Sequence, residues 1–222
     1  MTDRPKFPLA TGALALAFGL VLAACAPTAS TSDATDQAAL SAACRSDPIP
    51  TVAIADFQNT TSSRGTTVVG VEEAAAARLI TLLKESGCYV VVERSELLTI
   101  MQQQGMESMD PVALARAAGA GYVVTGTVTR ATIAEPGASL FGITLGETRA
   151  DVEVDVRATD IITGEVVVSM TGAGNASSPN IAVNRIPQLG RISYDDPTVG
   201  PILAEAANAA VIRVVAAIRA EF

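Results

Sequence analysis

The stretch TVAIADF, residues 51–57, decides how the fold of this sequence is interpreted. It is a short apolar run preceded by Pro48 and Pro50 and followed by a polar loop, which is typical of a buried strand. Apolar residues then recur at helical spacing from Val71 to Ser86, and a β-branched run, CYVVV, follows at 88–92. A strand, a helix and a second strand predict two parallel neighbours joined by a crossover helix.

Two more helices and a third strand extend this pattern. Ser95 is expected to cap a helix over Glu96–Gln104, and Asp110 with Pro111 has the composition of a helix start. A third apolar run, residues 122–128, is a strand candidate. The predicted order is therefore β-α-β-α-α-β, an α/β core.

The periodicity changes after residue 150. The stretch DVEVDVR, 151–157, alternates strictly between valine and charge, and EVVVS, 165–169, returns after a Thr-Gly turn. This pattern predicts an antiparallel hairpin with one solvated face. A last helix is expected from about Pro201 to Arg219. The predicted fold class is α/β (α+β), with antiparallel hairpin extensions of the core and a C-terminal helix.

The composition excludes several classes of function. The chain has 222 residues and no histidine, so it cannot form by itself a Ser-His-Asp triad, a Cys-His pair or a His-ligated metal site. Its 15 basic residues against 23 acidic ones give a net charge of −8, which argues against nucleic-acid binding. No nucleophile–base pair is visible. We therefore predict a protein that is not an enzyme, with no catalytic residue and no metal site.

The N-terminus has the pattern of an export signal with a lipid attachment site. Arg4 and Lys6 precede an uncharged run, residues 7–24, that ends in Leu-Ala-Ala before Cys25. This resembles the bacterial lipoprotein signal, in which the cysteine is acylated and becomes the first residue. An ordinary signal peptide with an incidental cysteine is the alternative. We expect residues 1–24 to be the signal, 25–47 an acylated cysteine with a flexible tether, and 48–222 a periplasmic domain.

The resemblance also implies a location and a cofactor assignment. Residue 26 is alanine and not aspartate, so by resemblance to enterobacterial lipoproteins the outer membrane is expected, with the domain facing the periplasm. No cofactor is expected other than the covalent lipid on Cys25. In this oxidising compartment the remaining pair, Cys44 and Cys88, favours a disulfide. Both precede predicted parallel strands whose starts lie close together; two free thiols are the alternative.

Two stretches fall outside the predicted core, residues 134–150 and 172–200, and long insertions of this kind are usually functional or mobile. Several blocks around them resemble the curli secretion channel (CsgG) family, which includes holdfast-anchor proteins. The matching blocks are VAIADF at 52–57, AARLITLLK at 76–84, VVVER at 90–94, GYVVTGTV at 121–128, FGI at 141–143 and DIITGEV at 160–166.

The resemblance implies a ring of protomers in the outer membrane. In channel members each protomer donates two hairpins to a shared barrel, which would correspond here to residues 128–156 and 166–201. The candidate membrane-facing residues are Leu140, Phe141, Ile143, Leu145, Ile181 and Val183. The family's channel loop, between the first strand and the first helix, would correspond to Asn59, Thr60 and Thr61.

Two functions follow as hypotheses. The first is an oligomeric outer-membrane lipoprotein for secretion or assembly of curli-like fibres or a surface adhesin. Its expected partners are the membrane through the lipid, further copies of the chain, secreted fibre or adhesin subunits and accessory envelope proteins. The second is a non-channel periplasmic docking module that regulates cell-wall or surface-polysaccharide machinery.

Overall fold

A computed structural model describes residues 38–61, 66–105, 110–134, 137–140, 143–180 and 190–221. Residues 38–41 form one helical turn ahead of the first strand. The remaining elements in chain order are β1 (Thr51–Ile54), β2 (Gln58–Asn59), β3 (Thr66–Val69), α1 (Val71–Glu85), β4 (Val90–Val92), α2 (Arg94–Gln104), α3 (Pro111–Ala117), β5 (Tyr122–Ala134), β6 (Gly137–Leu140), β7 (Ile143–Asp160), β8 (Val166–Asn180), β9 (Gly190–Ser193) and α4 (Gly200–Glu221).

Seven described strands form one mixed sheet in the order β4-β1-β5-β7-β6, with β2 beside β5 and β8 beside β7. The pairs β1–β4 and β1–β5 are parallel, whereas β7 is antiparallel to β5, β6 and β8. A second sheet of two strands pairs β3 with β9 in parallel. The parallel half arises because each β-α-β connection is long enough for a crossover helix.

Helices cover both faces of the parallel half. The β1 side chains alternate between two cores, since Val52 and Ile54 join the larger cluster with α1 and α4, while Ala53 joins the smaller one. The smaller cluster is completed by Leu97 of α2 and Leu114 of α3. This alternation follows from the period of two along a strand.

Helix α4 packs on the antiparallel half without large side chains at the contact. A Cβ atom built on Gly172 would overlap the carbonyl oxygen of Ala210, and one on Gly174 would overlap that of Ala206. The helix backbone therefore lies directly on β8. By length and composition α4 could cross a membrane, but 56% of its most apolar stretch is buried within the protein.

The sheet has two ends that differ in what they carry. We call the amino-terminal ends of β1, β4 and β5 the entry end, because the chain joins the domain there. We call the opposite end the hairpin end, because β5 continues for ten residues past its last pairing with β1 at Val124, and β7 and β8 accompany it.

The predicted β-α-β-α-α-β order and the C-terminal helix are confirmed. The predicted N-cap at Ser95 is wrong. Helix α2 begins at Arg94, and the backbone carbonyl of Glu93 accepts its first helical hydrogen bonds. The Asp110 cap is confirmed, with its carboxylate accepting from the Val112 amide at 3.2 Å. Strands β2, β3, β6 and β9 were not predicted, because they are too short to show a period.

Candidate functional site

The entry end holds the N-terminal segment to the domain by a disulfide. Cys44 and Cys88 are bonded with their Cα atoms 5.2 Å apart, and they are the pair that the sequence predicts. The Cys88 side chain is buried, whereas Cys44 is exposed. The two cysteines are 44 positions apart in the sequence. Closing a loop of that length lowers the entropy of the unfolded chain and stabilises the fold by about 4 kcal/mol. Cys25, the predicted lipidation site, lies outside the described residues.

Two arginines tie the same segment to the last turn of α4. Arg45 donates to the carbonyl of Ala220 at 2.6 Å, and Arg219 donates to the carbonyl of Ala42. The first of these contacts satisfies a carbonyl at the C-terminus of α4, where no intrahelical donor is available. Leu40 packs against the larger core. The part of the predicted tether from residue 40 onward is thus held to the domain by these bonds and by Leu40.

Arg219 is itself buried, with 7% of its surface exposed, and it lies near the Tyr89 phenol. Burial raises the pKa of Tyr89, and the positive charge of Arg219 acts in the opposite direction. The phenol is therefore neutral at physiological pH. The Arg45 and Arg219 contacts were missed from the sequence, because each joins residues about 175 positions apart and no local pattern indicates them.

The predicted channel loop is held inside the protomer by Asn59. Its amide nitrogen donates to the carbonyl of Val68 at 2.7 Å and to the carboxylate of Glu72 at 2.8 Å. Its carbonyl oxygen accepts from the Thr61 amide at 3.0 Å and from the Thr61 hydroxyl at 2.6 Å. Thr61 is buried. Asn59 therefore joins β2, β3 and the first turn of α1.

Thr60 completes this loop. Its amide and its hydroxyl both donate to the carbonyl of Val128, at 3.0 and 3.2 Å. The network gives Asn59, Thr60 and Thr61 a structural role within one protomer, while their place in a channel stays a prediction. Residues 62–65 of this loop lie outside the described part of the chain.

Clefts flank the carboxyl end of β1. One, about 230 Å³, is lined by Ile54, Asp56, Leu98 and Pro111 among others, and a second of about 460 Å³ lies on the α1 side beside Glu72. The chain leaves β1 for β4 on one side and reaches β5 on the other, so this is the switch point where open α/β sheets bind ligands. The sequence signal for this site was an aspartate, Asp56, two residues after the buried strand β1. No three His, Cys, Asp or Glu side chains converge within the described ranges.

Most residues of the two predicted membrane hairpins lie in strands β5, β7 and β8 of the main sheet. The face of the sheet away from α4 carries ion pairs, between Arg130 and Glu153 at 3.1 Å and between Arg149 and Asp151 at 3.4 Å. The opposite face is covered by α4. Charged side chains on a strand are costly in the hydrocarbon core. The membrane hairpins over 128–156 and 166–201 stay a prediction.

The chain beyond this covered sheet is short. The first hairpin has fourteen residues, 135–148, past the pair of Ala134 and Arg149, and nine residues, 181–189, lie between β8 and β9. A membrane-spanning strand needs about 9–11 residues, and a hairpin needs two such strands. Leu140, Ile143 and Leu145 lie in β6 and β7, while Phe141, Ile181 and Val183 lie outside the described residues.

The sequence matches the family model for the curli production assembly/transport component CsgG over residues 32–221. No curated protein matches it significantly. Among solved structures, lipoprotein GNA1162 from Neisseria meningitidis is 16% identical with a TM-score of 0.42, covering 61% of this chain and 87% of its own. The PelC dodecamer from Paraburkholderia phytofirmans is 15% identical with a TM-score of 0.44, covering 77% of this chain and 87% of its own.

The C-terminal domain of LpoB from Escherichia coli is 17% identical with a TM-score of 0.40, covering 63% of this chain and 92% of its own. These scores are low, and the assignment rests on the sequence match alone. That match covers the whole described domain and extends into the N-terminal segment that the disulfide holds. The chain belongs to the CsgG family of curli production assembly and transport components and is a protein of the cell envelope.

Proposed function

We propose that this protein is a lipid-anchored, oligomeric component of an envelope secretion or assembly system, held at the outer membrane by acyl chains on Cys25. Its cargo would be curli-like fibre subunits or a surface adhesin. The family match is the observation that carries this proposal. The signal-like N-terminus and the composition without histidine support a protein that works by binding and not by catalysis.

Within this role, we favour a ring or scaffold that docks other proteins over a pore whose hairpins cross the bilayer. The ion-paired face of β5 and β7 supports the scaffold, since charges such as Arg130 and Glu153 are costly in lipid. The small number of residues past the pair of Ala134 and Arg149 supports the scaffold as well.

The docking surface on the domain is expected at the hairpin end. The clefts beside Asp56 open there, next to Glu72 and Glu73 of the first turn of α1. Their apolar walls, for example Leu98 and Ile80, with acidic residues at the rim suit a partner segment that combines aliphatic and basic residues. The second candidate function, a module that regulates cell-wall or polysaccharide machinery, would use the same clefts.

The test is reconstitution of the purified lipoprotein in vesicles that contain a small fluorescent dye. The expected result is an oligomer in native mass spectrometry of the detergent-solubilised protein, together with no dye release. A monomer at all concentrations would contradict the oligomeric role. Dye release that increases with protein density would contradict the scaffold and favour the pore.

Partner identity separates the two candidate functions. Cross-linking in intact cells from photoreactive residues placed at Leu98 and Ile80 is expected to capture secreted fibre or adhesin subunits. The matched control position is Thr81, which is exposed on α1. Capture of a cell-wall or polysaccharide enzyme instead would favour the docking module.

A further inference from the structure

The side of β1 that faces β4 is left open where β1 ends. The pairing of the two strands stops at Ala53 and Val92, because the chain then turns into α2 at Arg94. β1 continues to Ile54, and the chain runs on to β2, which pairs with β5. Within the described ranges, no strand pairs with residues 54–59 on the side from which β4 departs. We call this open place beside residues 54–56 the notch.

The backbone hydrogen bonds show which groups of β1 point into the notch. The carbonyl of Pro50 accepts from the amide of Val90 on the β4 side, whereas the amide of Ala55 donates to Val124 on the β5 side. Residues of a strand between two parallel neighbours bond alternately to the two sides. The carbonyl of Ile54 therefore points toward the notch, where an added strand can donate to it.

The two clefts at the carboxyl end of β1 flank the notch, one on each face of the sheet. Both share residues 54–56 as a wall. The smaller cleft is lined by residues of α2 and α3, which cover one face, and the larger by residues of α1, which covers the other. Successive side chains of an extended chain point to opposite faces. A strand in the notch would therefore place neighbouring residues in different clefts.

The smaller cleft suits one large apolar side chain. Leu97, Leu98, Pro111 and Leu114 give it apolar walls. Its volume, about 230 Å³, lies below the range of roughly 300–1,000 Å³ that encloses a whole small molecule. Leu97 and Leu114 also belong to the smaller core, so these walls are already ordered before anything binds.

The larger cleft, about 460 Å³, suits a long basic side chain. Ala76 and Ile80 form an apolar wall, and Glu72 and Glu73 stand at its end in the first turn of α1. The amide of Asn59 donates to Glu72 at 2.8 Å and holds that carboxylate in place. A lysine or arginine can lay its aliphatic stem along such a wall and keep its charge beside the carboxylates.

We propose that the notch binds an extended segment of a partner protein by strand addition, with a large apolar residue in the smaller cleft and an adjacent lysine or arginine in the larger one. Main-chain hydrogen bonds to β1 supply affinity in this mode, and the alternate side chains supply specificity. The partner is thus a secreted or envelope polypeptide with an exposed segment that carries this apolar–basic pair. The inference rests on the proposed function and adds the mode of recognition and the local sequence of the partner.

The test measures the fluorescence anisotropy of labelled peptides with the full lipoprotein in a neutral detergent. The peptide Thr-Ser-Thr-Phe-Lys-Thr-Ser-Thr has the apolar and basic residues adjacent, whereas Thr-Ser-Phe-Thr-Lys-Thr-Ser-Thr has the same composition with both on one face. We expect the first to bind about tenfold more tightly. Methylation of its backbone nitrogens should remove this advantage, because it removes the main-chain donors.

Two pairs of variants test the clefts. Glu73→Lys is expected to weaken the first peptide about tenfold and to favour a peptide with glutamate in place of lysine, whereas Glu85→Lys, exposed at the other end of α1, leaves both affinities unchanged. Leu98→Asp should weaken the first peptide by a similar factor, and Thr99→Asp, exposed on the same helix, should not. Equal urea midpoints within each pair show that the fold is intact.

Equal binding of the two peptides would overturn the inference, as would equal losses in Glu73→Lys and Glu85→Lys. Cross-linking in cells from Leu98 and Ile80 reports the docking surface separately. Capture of secreted subunits there, together with equal binding of the two peptides, would refute strand addition alone. Absence of capture at both positions would refute the proposed docking surface and this inference with it.

Discussion

The two ends of the sheet are stabilised by different means. The entry end is fixed by a covalent bond and by two arginines whose partners lie about 175 positions away in the sequence, whereas the described side-chain bonds of the hairpin end include a short-range amide network around Asn59. Between them α4 lies directly on the glycines of β8. The difference teaches that the N-terminal segment is held to the domain by a covalent bond, whereas the surface proposed to meet partners is held by hydrogen bonds alone.

The contact between α4 and β8 is expected to give the largest effect, because it connects both ends. Gly174→Val places a side chain where the carbonyl of Ala206 lies, and should lower the free energy of unfolding by about 3 kcal/mol or more. Urea unfolding followed by circular dichroism measures this. Ala173→Val, on the exposed face of the same strand, is the control and should be close to neutral. Equal stability of the two variants would show that the helix does not approach the strand so closely.

Removing the disulfide should weaken the entry end specifically. The double variant Cys44→Ala, Cys88→Ala is expected to lose about 2–4 kcal/mol of stability. Reducing agent should lower the wild-type midpoint and leave that of the variant unchanged. Intact mass under reducing and non-reducing conditions provides an independent check, and two free thiols in the exported protein would refute the bond.

At the hairpin end, Asn59→Ala removes four hydrogen bonds and leaves the Val68 carbonyl without this donor. We expect a loss of about 2–3 kcal/mol, because part of the network is buried. Hydrogen exchange should quicken in β2 and β3 and stay unchanged around Cys88. Gln58→Ala, exposed in the same strand, is the control. Uniform loss of protection through the whole domain would contradict the separation of the two ends.

The smallest expected effect concerns the turn at residues 160–163, which follows β7. Hydrogen bonds from the Thr163 and Ile162 amides lower the pKa of Asp160 below its ordinary value of 3.8. A carboxylate with a lowered folded-state pKa stabilises the fold above the unfolded pKa, and this contribution is lost as the pH falls through the folded value. The stability of Asp160→Asn should therefore approach that of the wild type in strong acid. Glu165→Gln, in the same turn, controls for the loss of a surface charge.

The sequence was sufficient for the elements with a clear period. The run 51–57, the amphipathic α1 and the alternating DVEVDVR each show their own structure, so their order and the α/β class could be predicted. The cysteine pair could be predicted because two strand starts in a parallel sheet lie side by side. Boundaries were less accurate, because the helix predicted over Glu96–Gln104 begins two residues earlier, at Arg94, without a side-chain cap.

What could not be predicted depends on packing between distant residues. The extent of β7 and β8 is fixed by α4 on one face and by ion pairs such as Arg130–Glu153 on the other. Neither can be read from local composition. The hairpin ranges 128–156 and 166–201, which the family resemblance implies, stay a prediction.

The bond between Cys44 and Cys88 also has a mechanical consequence. A pull on the amino-terminal segment reaches Cys44 before it reaches β1, and the disulfide passes the tension to the residue just ahead of β4. The first strand is thereby shielded from being peeled out of the sheet, because six residues of chain between Cys44 and Thr51 carry no tension while the bond holds. Under a force applied through the N-terminal segment, the domain is therefore expected to unfold first at the edge strand β4 and not at the internal strand β1.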